Sequence, residues 1–252
     1  MSGSLDKTLK ILEFLSSRPK GAELVEIAAH LAQSRSGAHR TLLELSTRGY
    51  IRQTHKGGYQ LTVKLPAMGI NWLSQSGLIE IANPILSRLA DRTKEVVRLV
   101  VVEDKRLVNI AKTLPSGKGP IHDPDMGTEV PLLTSAAGHA LLMTLKDEEV
   151  VKAAQSTSNS TSRTASPNSI AALLQVVQNH RSRGFSIVED SHSEAVNSVA
   201  APVRRRDEGT NALIVVSGPS VRFTTDRIFA CAGDLLDAAS ELALTGRGTP
   251  LL

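Results

Sequence analysis

Apolar positions in the first sixty residues recur at helical spacing in three short runs separated by polar breaks. Leu5, Leu9, Leu12 and Leu15 form the first run, with Ser4 placed to cap it and Pro19 and Gly21 to end it. A second short helix is predicted over Val25–Leu31, burying Ile27, Ala28 and Leu31. Gln33–Ser36 is a polar turn, and a third helix is predicted from about Ser36 to Thr47, with Leu42, Leu43 and Leu45 inward and Gly49 closing it. The periodicity then changes. Two β-prone segments within Tyr50–Leu61 flank Lys56-Gly57-Gly58, the signature of a hairpin. Three helices followed by such a hairpin predict a winged helix-turn-helix over residues 1–62.

Leu65, Met68 and Trp72 lie at helical spacing, predicting a connecting helix from about Val63 to Leu73 within residues 63–76, with Pro66 held to its first turn. An exposed tryptophan there is costly, so Trp72 is expected to pack on a partner chain or the neighbouring domain. In residues 77–252 helices and strands alternate. Ile79, Ile85, Leu86 and Leu89 mark a helix to about Asp91; Val96–Val102 and Arg106–Lys112 read as strands joined by the charged turn Glu103-Asp104-Lys105. A Gly/Pro-rich loop, Pro115–Thr128, precedes helices over Ser135–Thr144 and Glu148–Ala154. Ser156–Ser166 reads as a mobile Ser/Thr loop, and Ser166-Pro167 as the cap and first turn of a helix over Asn168–Asn179. Further strands are predicted at Phe185–Val188, Val199–Arg204 and Ala212–Ser217, with a turn through Arg204-Arg205-Arg206 and Asp207-Glu208-Gly209. A last helix, Asp226–Leu244, buries Ile228, Cys231, Leu235 and Leu242. Strands joined by hairpins, with helices beside them, predict an α+β class with an antiparallel sheet flanked by helices.

Charge changes the picture of the head. Residues 1–60 hold nine Lys/Arg against five Asp/Glu, whereas the rest of the chain holds twenty of each, so the whole formal excess of +4 sits in the N-terminal block. A basic three-helix module on a neutral body points to double-stranded DNA. A third helix can enter the major groove with its first turn facing base edges, which puts Ser34, Arg35, Ser36 and His39 there; Arg40, Arg52 and Lys56 reach phosphates. Two alternatives stand beside this. The module could serve protein contacts with its charges solvated, and Arg40 could bond helix ends instead of DNA. Aromatic residues at 3 % argue against single-stranded nucleic acid, which needs stacking platforms.

The single cysteine, Cys231, excludes an internal disulfide and any cysteine-cluster metal site, and its helical apolar setting reads as packing. His122, Asp123, Asp125, His139, His192 and Glu194 are scattered candidates for a metal, without the paired spacing on one helix that a metal motif needs. No cofactor or metal is expected. The N-terminus lacks a signal-peptide core and no apolar run reaches membrane-span length, so a cytoplasmic protein with no membrane partner is expected.

The residues resemble the IclR-type family of bacterial transcriptional regulators. Ser4–Leu12 is similar to the family's opening helix, Leu24–Leu31 to its second, Arg35–Leu43 with its His39-Arg40 pair to its recognition helix, and Arg48–Ile51 with Gly58–Leu61 to its wing. Gly127–Leu132, Ser135–Leu142, Arg183-Gly184-Phe185, Ala200–Val203 and Val216–Pro219 are similar to its effector-domain motifs, in the same order. The chain departs from the family pattern at Leu133, Ser135, His139, Ser191, Ala195 and Ser198. The resemblance implies a body related to the GAF and PAS sensor folds, a homodimer or homotetramer reading a palindrome-like operator, and a small-molecule effector.

The small residues opening the Ser135–Thr144 helix, Ala136, Ala137 and Gly138, leave its amides approachable by an anion. With Val196, Ser198 and Ser217 they are the candidate effector residues, suiting a small organic acid or neutral polar metabolite. The same small residues also suit tight helix–sheet packing. The overall expectation is a transcriptional regulator, a repressor of a catabolic operon, and not an enzyme. The competing readings are a small metal-dependent hydrolase with a helical appendage, and a body that serves assembly alone.

Overall fold

Ile11, Leu15, Ile27, Leu42 and Leu45 bring three helices together: α1 (Ser4–Ser16), α2 (Leu24–His30) and α3 (Arg35–Thr47). Ile11, Ile27 and Leu42 are fully shielded from water, a burial of about 1.5–3 kcal/mol each. Burial selects a different stripe of α1 from the leucine repeat. Leu5 and Leu9 are 71 % and 49 % exposed, since they lie off the stripe of Ile11 and Leu15, and Gly3, not Ser4, is the N-cap. Leu43 is likewise 59 % exposed, on the far side of α3 from Leu42 and Leu45.

The turn between α2 and α3 is specified residue by residue. A capping box starts α2, with the Glu23 amide donating to Glu26 Oε2 at 2.7 Å. At its other end Ala32 takes a left-handed φ of 49°, the Ala32 amide donates to the Ala29 carbonyl at 3.1 Å, and the Gln33 amide donates to the Ala28 carbonyl at 3.0 Å. That pair of bonds is a Schellman ending. Ser34 then caps α3, its Oγ accepting from the Gly37 amide at 3.2 Å. A hairpin follows, β1 (Ile51–Gln53) and β2 (Tyr59–Leu61), with Arg52 opposite Gln60. Buried Ile51 and Tyr59 tie it to the helices.

The structure describes residues 3–115, 126–160, 167–189, 195–205 and 209–251 of this computed structural model, and it divides into two units, Met1–Gln75 and Ser76–Leu252. The connecting helix α4 (Lys64–Gln75) belongs to the first unit, with Pro66 in its first turn. Lys64 Nζ donates to the Arg48 carbonyl at 2.7 Å and sits over the Tyr50 ring. None of the α4 residues is buried; Met68, Ile70 and Trp72 are more than half exposed.

The second unit contains α5 (Leu78–Thr93), β3 (Val96–Glu103), β4 (Arg106–Thr113), α6 (Ala136–Leu142), α7 (Asp147–Ser160), α8 (Pro167–Arg183), β5 (Ser186–Val188), β6 (Val196–Arg205), β7 (Gly209–Pro219) and α9 (Thr225–Thr245). The strands form one antiparallel sheet in the order β4-β3-β7-β6-β5. Alternate residues face opposite layers. Val97, Leu99, Val101, Val199, Ala201, Ile214 and Val216 pack on α5 and α9. Val100, Ala200, Leu213 and Val215 pack on α6. Leu142, Val150, Ala153 and Val177 join α6, α7 and α8.

Helices run further than their apolar patterns indicate. α7 continues through Ser156–Ser160, where a loop is expected, because Val150, Ala153 and Ala154 anchor it. α8 extends to Arg183, because its own Val177 and His180 are buried and Arg181 donates to the Met143 and Leu145 carbonyls. Arg205 and Gly209, expected in a turn, are strand residues: β6 runs on to Arg205, which pairs with Gly209 at the start of β7. Residues 116–125, 161–166 and 206–208, which hold most of the predicted loops, the Ser166 cap and the rest of the arginine-rich turn, lie outside the described residues.

Candidate nucleic-acid interface and effector site

Ser34, Arg35, Ser36, His39, Arg40, Arg52 and Lys56 are all exposed. The turn chemistry described above fixes the start of α3, so Arg35, Ser36, His39, Arg40 and Leu43 share its outward side. The side chains of Arg35, His39, Arg40 and Lys56 have no hydrogen-bond or ion-pair partner among the described residues, and Arg40 bonds no helix end there. Two of the seven do structural work. The Ser34 hydroxyl is committed to the Gly37 amide and stands 3.2 Å from the Ser36 hydroxyl. With the Gln60 amide turned so that its oxygen faces Arg52, the guanidinium donates to it at 2.7 and 3.0 Å, which orients Arg52 along the wing. Leu43 was missing from the sequence-based set; its outward position follows from α3 packing through Leu42 and Leu45.

The effector candidates converge on the α6 face of the sheet. Ser198 and Ser217 are directly paired across β6 and β7, and Val196 lies two residues along β6. Ala136 and Ala137 are buried in the same layer. The start of α6 differs from its sequence-based picture. Ser135 Oγ accepts from the Gly138 amide at 2.9 Å and donates to the Pro131 carbonyl at 2.6 Å, so the helix caps itself. A Cβ on Gly138 would overlap the Leu132 carbonyl, which explains the glycine by close packing.

Positive charge on this face comes from a residue absent from the candidate set. Arg98 interrupts the apolar run Val96–Val102 on β3, is 9 % exposed, and donates from Nη2 to Ser217 Oγ at 3.3 Å. Its Nε is buried without a partner. Burial lowers its pKa to about 10, so it stays charged at neutral pH. The signal in the sequence is the lone cation in the middle of a strand whose neighbours are all apolar. Nearby, Asn109 is 2 % exposed with Oδ1 unpartnered.

His139 is a packed residue, its Nε2 2.9 Å from the Leu133 carbonyl and its ring 5.4 Å from that of His180. Among the described residues no group of three or more His, Cys, Asp and Glu could hold a metal ion; His122, Asp123, Asp125, His192 and Glu194 lie outside them. Burial pushes the Cys231 thiol up to about 11, which leaves it protonated and a poor nucleophile. Among the described residues no helix is long and apolar enough to cross a membrane.

A winged helix-turn-helix with cations free on its third helix, followed by a separate α+β unit, is the build of a DNA-binding transcriptional regulator. Residues 4–55 match the IclR helix-turn-helix domain, and residues 70–244 match the bacterial transcriptional regulator IclR C-terminal domain. The chain belongs to the IclR family of bacterial transcriptional regulators. It is 27 % identical over 248 residues to the transcriptional repressor IclR of Escherichia coli K12, covering 97 % of this chain and 90 % of that protein. Its fold is similar to an IclR family regulator from Brucella abortus (TM-score 0.79, 21 % identity, 96 % of this chain and 91 % of that one). It is equally similar to an IclR homolog from Microbacterium hydrocarbonoxydans complexed with 4-hydroxybenzoate (TM-score 0.79, 18 % identity, 97 % and 99 % covered).

Proposed function

We propose that the protein is a cytoplasmic repressor of a catabolic operon, released from its operator by a small organic acid or related metabolite. The observation that carries the DNA half is the set of unpartnered cations, Arg35, Arg40 and Lys56, exposed beside His39 on α3 and the wing. Arg35 and His39 read base edges, with Ser36 beside them and Ser34 fixing the turn; Arg40, Arg52 and Lys56 hold phosphates. Self-association into a homodimer or homotetramer is supported by α4, whose Met68, Ile70 and Trp72 stand in water in a single copy. The effector lies on the α6 face against Ala136, Ala137, Val196, Ser198 and Ser217, with Gly138 drawing α6 close. The names of the E. coli repressor and of the 4-hydroxybenzoate complex support repression and an acidic effector. No catalytic turnover is part of this reading.

The test is a mobility-shift titration with duplex DNA from upstream of the protein's own gene, at several salt concentrations, with and without a panel of aromatic and short aliphatic acids. Retarded DNA that an acid releases is the expected result. No retardation at low salt overturns the DNA half; retardation that no acid or neutral analogue changes overturns the effector half.

A further inference from the structure

We propose that the effector is bound through a carboxylate, and that Arg98, with Ser217 beside it, is the group that binds it. This deepens the effector reading above and rests on it.

The argument begins with how the fold treats its two buried charges on β3 and just before it. Glu95 is 2 % exposed and meets Arg222 in a two-point ion pair at 2.7 and 2.8 Å. Arg98 lies three residues on, facing the opposite layer. It is as inaccessible as an apolar core residue, yet its one side-chain bond among the described residues goes to a neutral hydroxyl. Among the described residues no carboxylate lies within ion-pair distance of it. A buried charge without a counter-charge is unfavourable, and folds rarely keep one without a use.

The remaining donors fit one ligand group. A guanidinium carries five N–H bonds in a planar fork that matches the two oxygens of a carboxylate. Among the described residues one contact, to Ser217, is taken, and Nε is open. Having accepted from Arg98, the Ser217 hydroxyl keeps its own hydrogen to donate, and Ser198 faces it across the strand pair. Around them stand Val100, Ala200, Val215 and Ala136, an apolar setting for the hydrocarbon body of an acid. A neutral amide or a cation would leave Arg98 without a counter-charge. The ligand is therefore an organic monocarboxylate; a phosphate ester or dianion would bring more charge than this single cation balances.

The experiment compares acids with their amides on the full chain, by thermal shift and calorimetry. The pairs are benzoate with benzamide, 4-hydroxybenzoate with its amide, and butyrate with butyramide. Acids are expected to stabilise the wild type and amides to fail. In Arg98→Met, acid affinity falls roughly 30-fold or more. Without ligand, that variant melts at or above the wild-type temperature, because an uncompensated charge has gone; a structural role would lower it. Arg98→Lys keeps part of the affinity. Acids that bind Arg98→Met as well as wild type, amides that match acids, or a ligand-free Arg98→Met that melts well below wild type each overturn the proposal. The wild-type acid-against-amide comparison tests the carboxylate without any variant. Amides that release DNA where acids do not sink Arg98 but leave the effector reading intact; no binding by acid or amide, with DNA retention unchanged, sinks both.

Discussion

Glu95 and Arg222 form a bidentate ion pair, Nε to Oε1 at 2.7 Å and Nη2 to Oε2 at 2.8 Å, in which the carboxylate is buried and the guanidinium is partly in water. Gly218 makes the pair possible, since a Cβ there would overlap the Glu95 carboxylate. The arginine's pKa is raised by its bond to Glu95. Removing Arg222 strands a buried anion. Arg222→Ala is expected to cost on the order of 3 kcal/mol, the low end for a buried pair because Arg222 is partly solvated. Urea denaturation monitors it, and the double variant Glu95→Leu/Arg222→Ala should recover part of the loss. Equal losses in the single and double variants would show that the pair, not the stranded charge, matters.

Ala32 holds the helix-turn-helix turn in the left-handed region, where a Cβ is strained. Ala32→Gly is expected to stabilise the head by about 1 kcal/mol, offset slightly by the freer unfolded chain. Ala29→Gly, inside α2, should destabilise by a similar amount. Melting temperatures of the two variants moving in the same direction would contradict the Schellman geometry.

On the proposed DNA interface, Arg35 and Lys56 separate reading from holding. Arg35→Ala should flatten discrimination between operator and mutated operator by ~1–3 kcal/mol. Lys56→Ala should weaken all duplexes alike and reduce the salt slope by about one ion. Quantitative binding at three salt concentrations distinguishes them; an unaltered slope removes Lys56 from the contacts.

His180 gives the fold an acid sensitivity. Desolvation, then the neighbouring His139, then Arg183 lower its pKa to about 4, and burial lowers that of His139 as well. The unfolded chain takes up these protons near pH 6.5, earlier than the folded one. Stability is therefore full above pH 6.5 and declines as pH falls from there through about 4. Urea midpoints at pH 7.5, 5.5 and 4.5 should drop in that order. His180→Gln, able to accept from the Ile187 amide that His180 Nε2 now serves at 3.3 Å, should flatten the trend.

Gly138 tests the tight approach of α6. Gly138→Ala is expected to destabilise by about 1–3 kcal/mol, the range for overpacking, because the Leu132 backbone must move. Wild-type stability in Gly138→Ala would mean the approach is loose.

The head was legible because its signals are local. Gly57-Gly58 announces the hairpin and the polar Gln33–Ser36 stretch the turn, neither needing distant residues. Leu5, Leu9 and Leu43 misled because an apolar repeat says that a helix has a buried side, while its packing partner decides which. Ser156–Ser160 has loop composition, yet stays helical because residues a turn earlier are anchored in the core. The proposed effector face, on the α6 side of the sheet, was half legible. Ser198 and Ser217 stand out in the sequence as small polar residues in apolar strands, but the register that pairs them is set by the β6–β7 turn and by the irregularity between Val203 and Arg204, which the apolar pattern does not show. Arg98 was overlooked because one cation in seven strand residues does not disturb the apolar pattern. Only the helices covering both sides of the sheet turn it into a buried charge.

Trp72 is the chain's one tryptophan and stands 58 % exposed on α4. Tryptophan fluorescence, excited beyond the absorption of Tyr50 and Tyr59, therefore comes from a single address, the segment joining the two units. A blue shift on dilution-sensitive assembly, on adding operator, or on adding an acid would report from that segment alone, with no label attached.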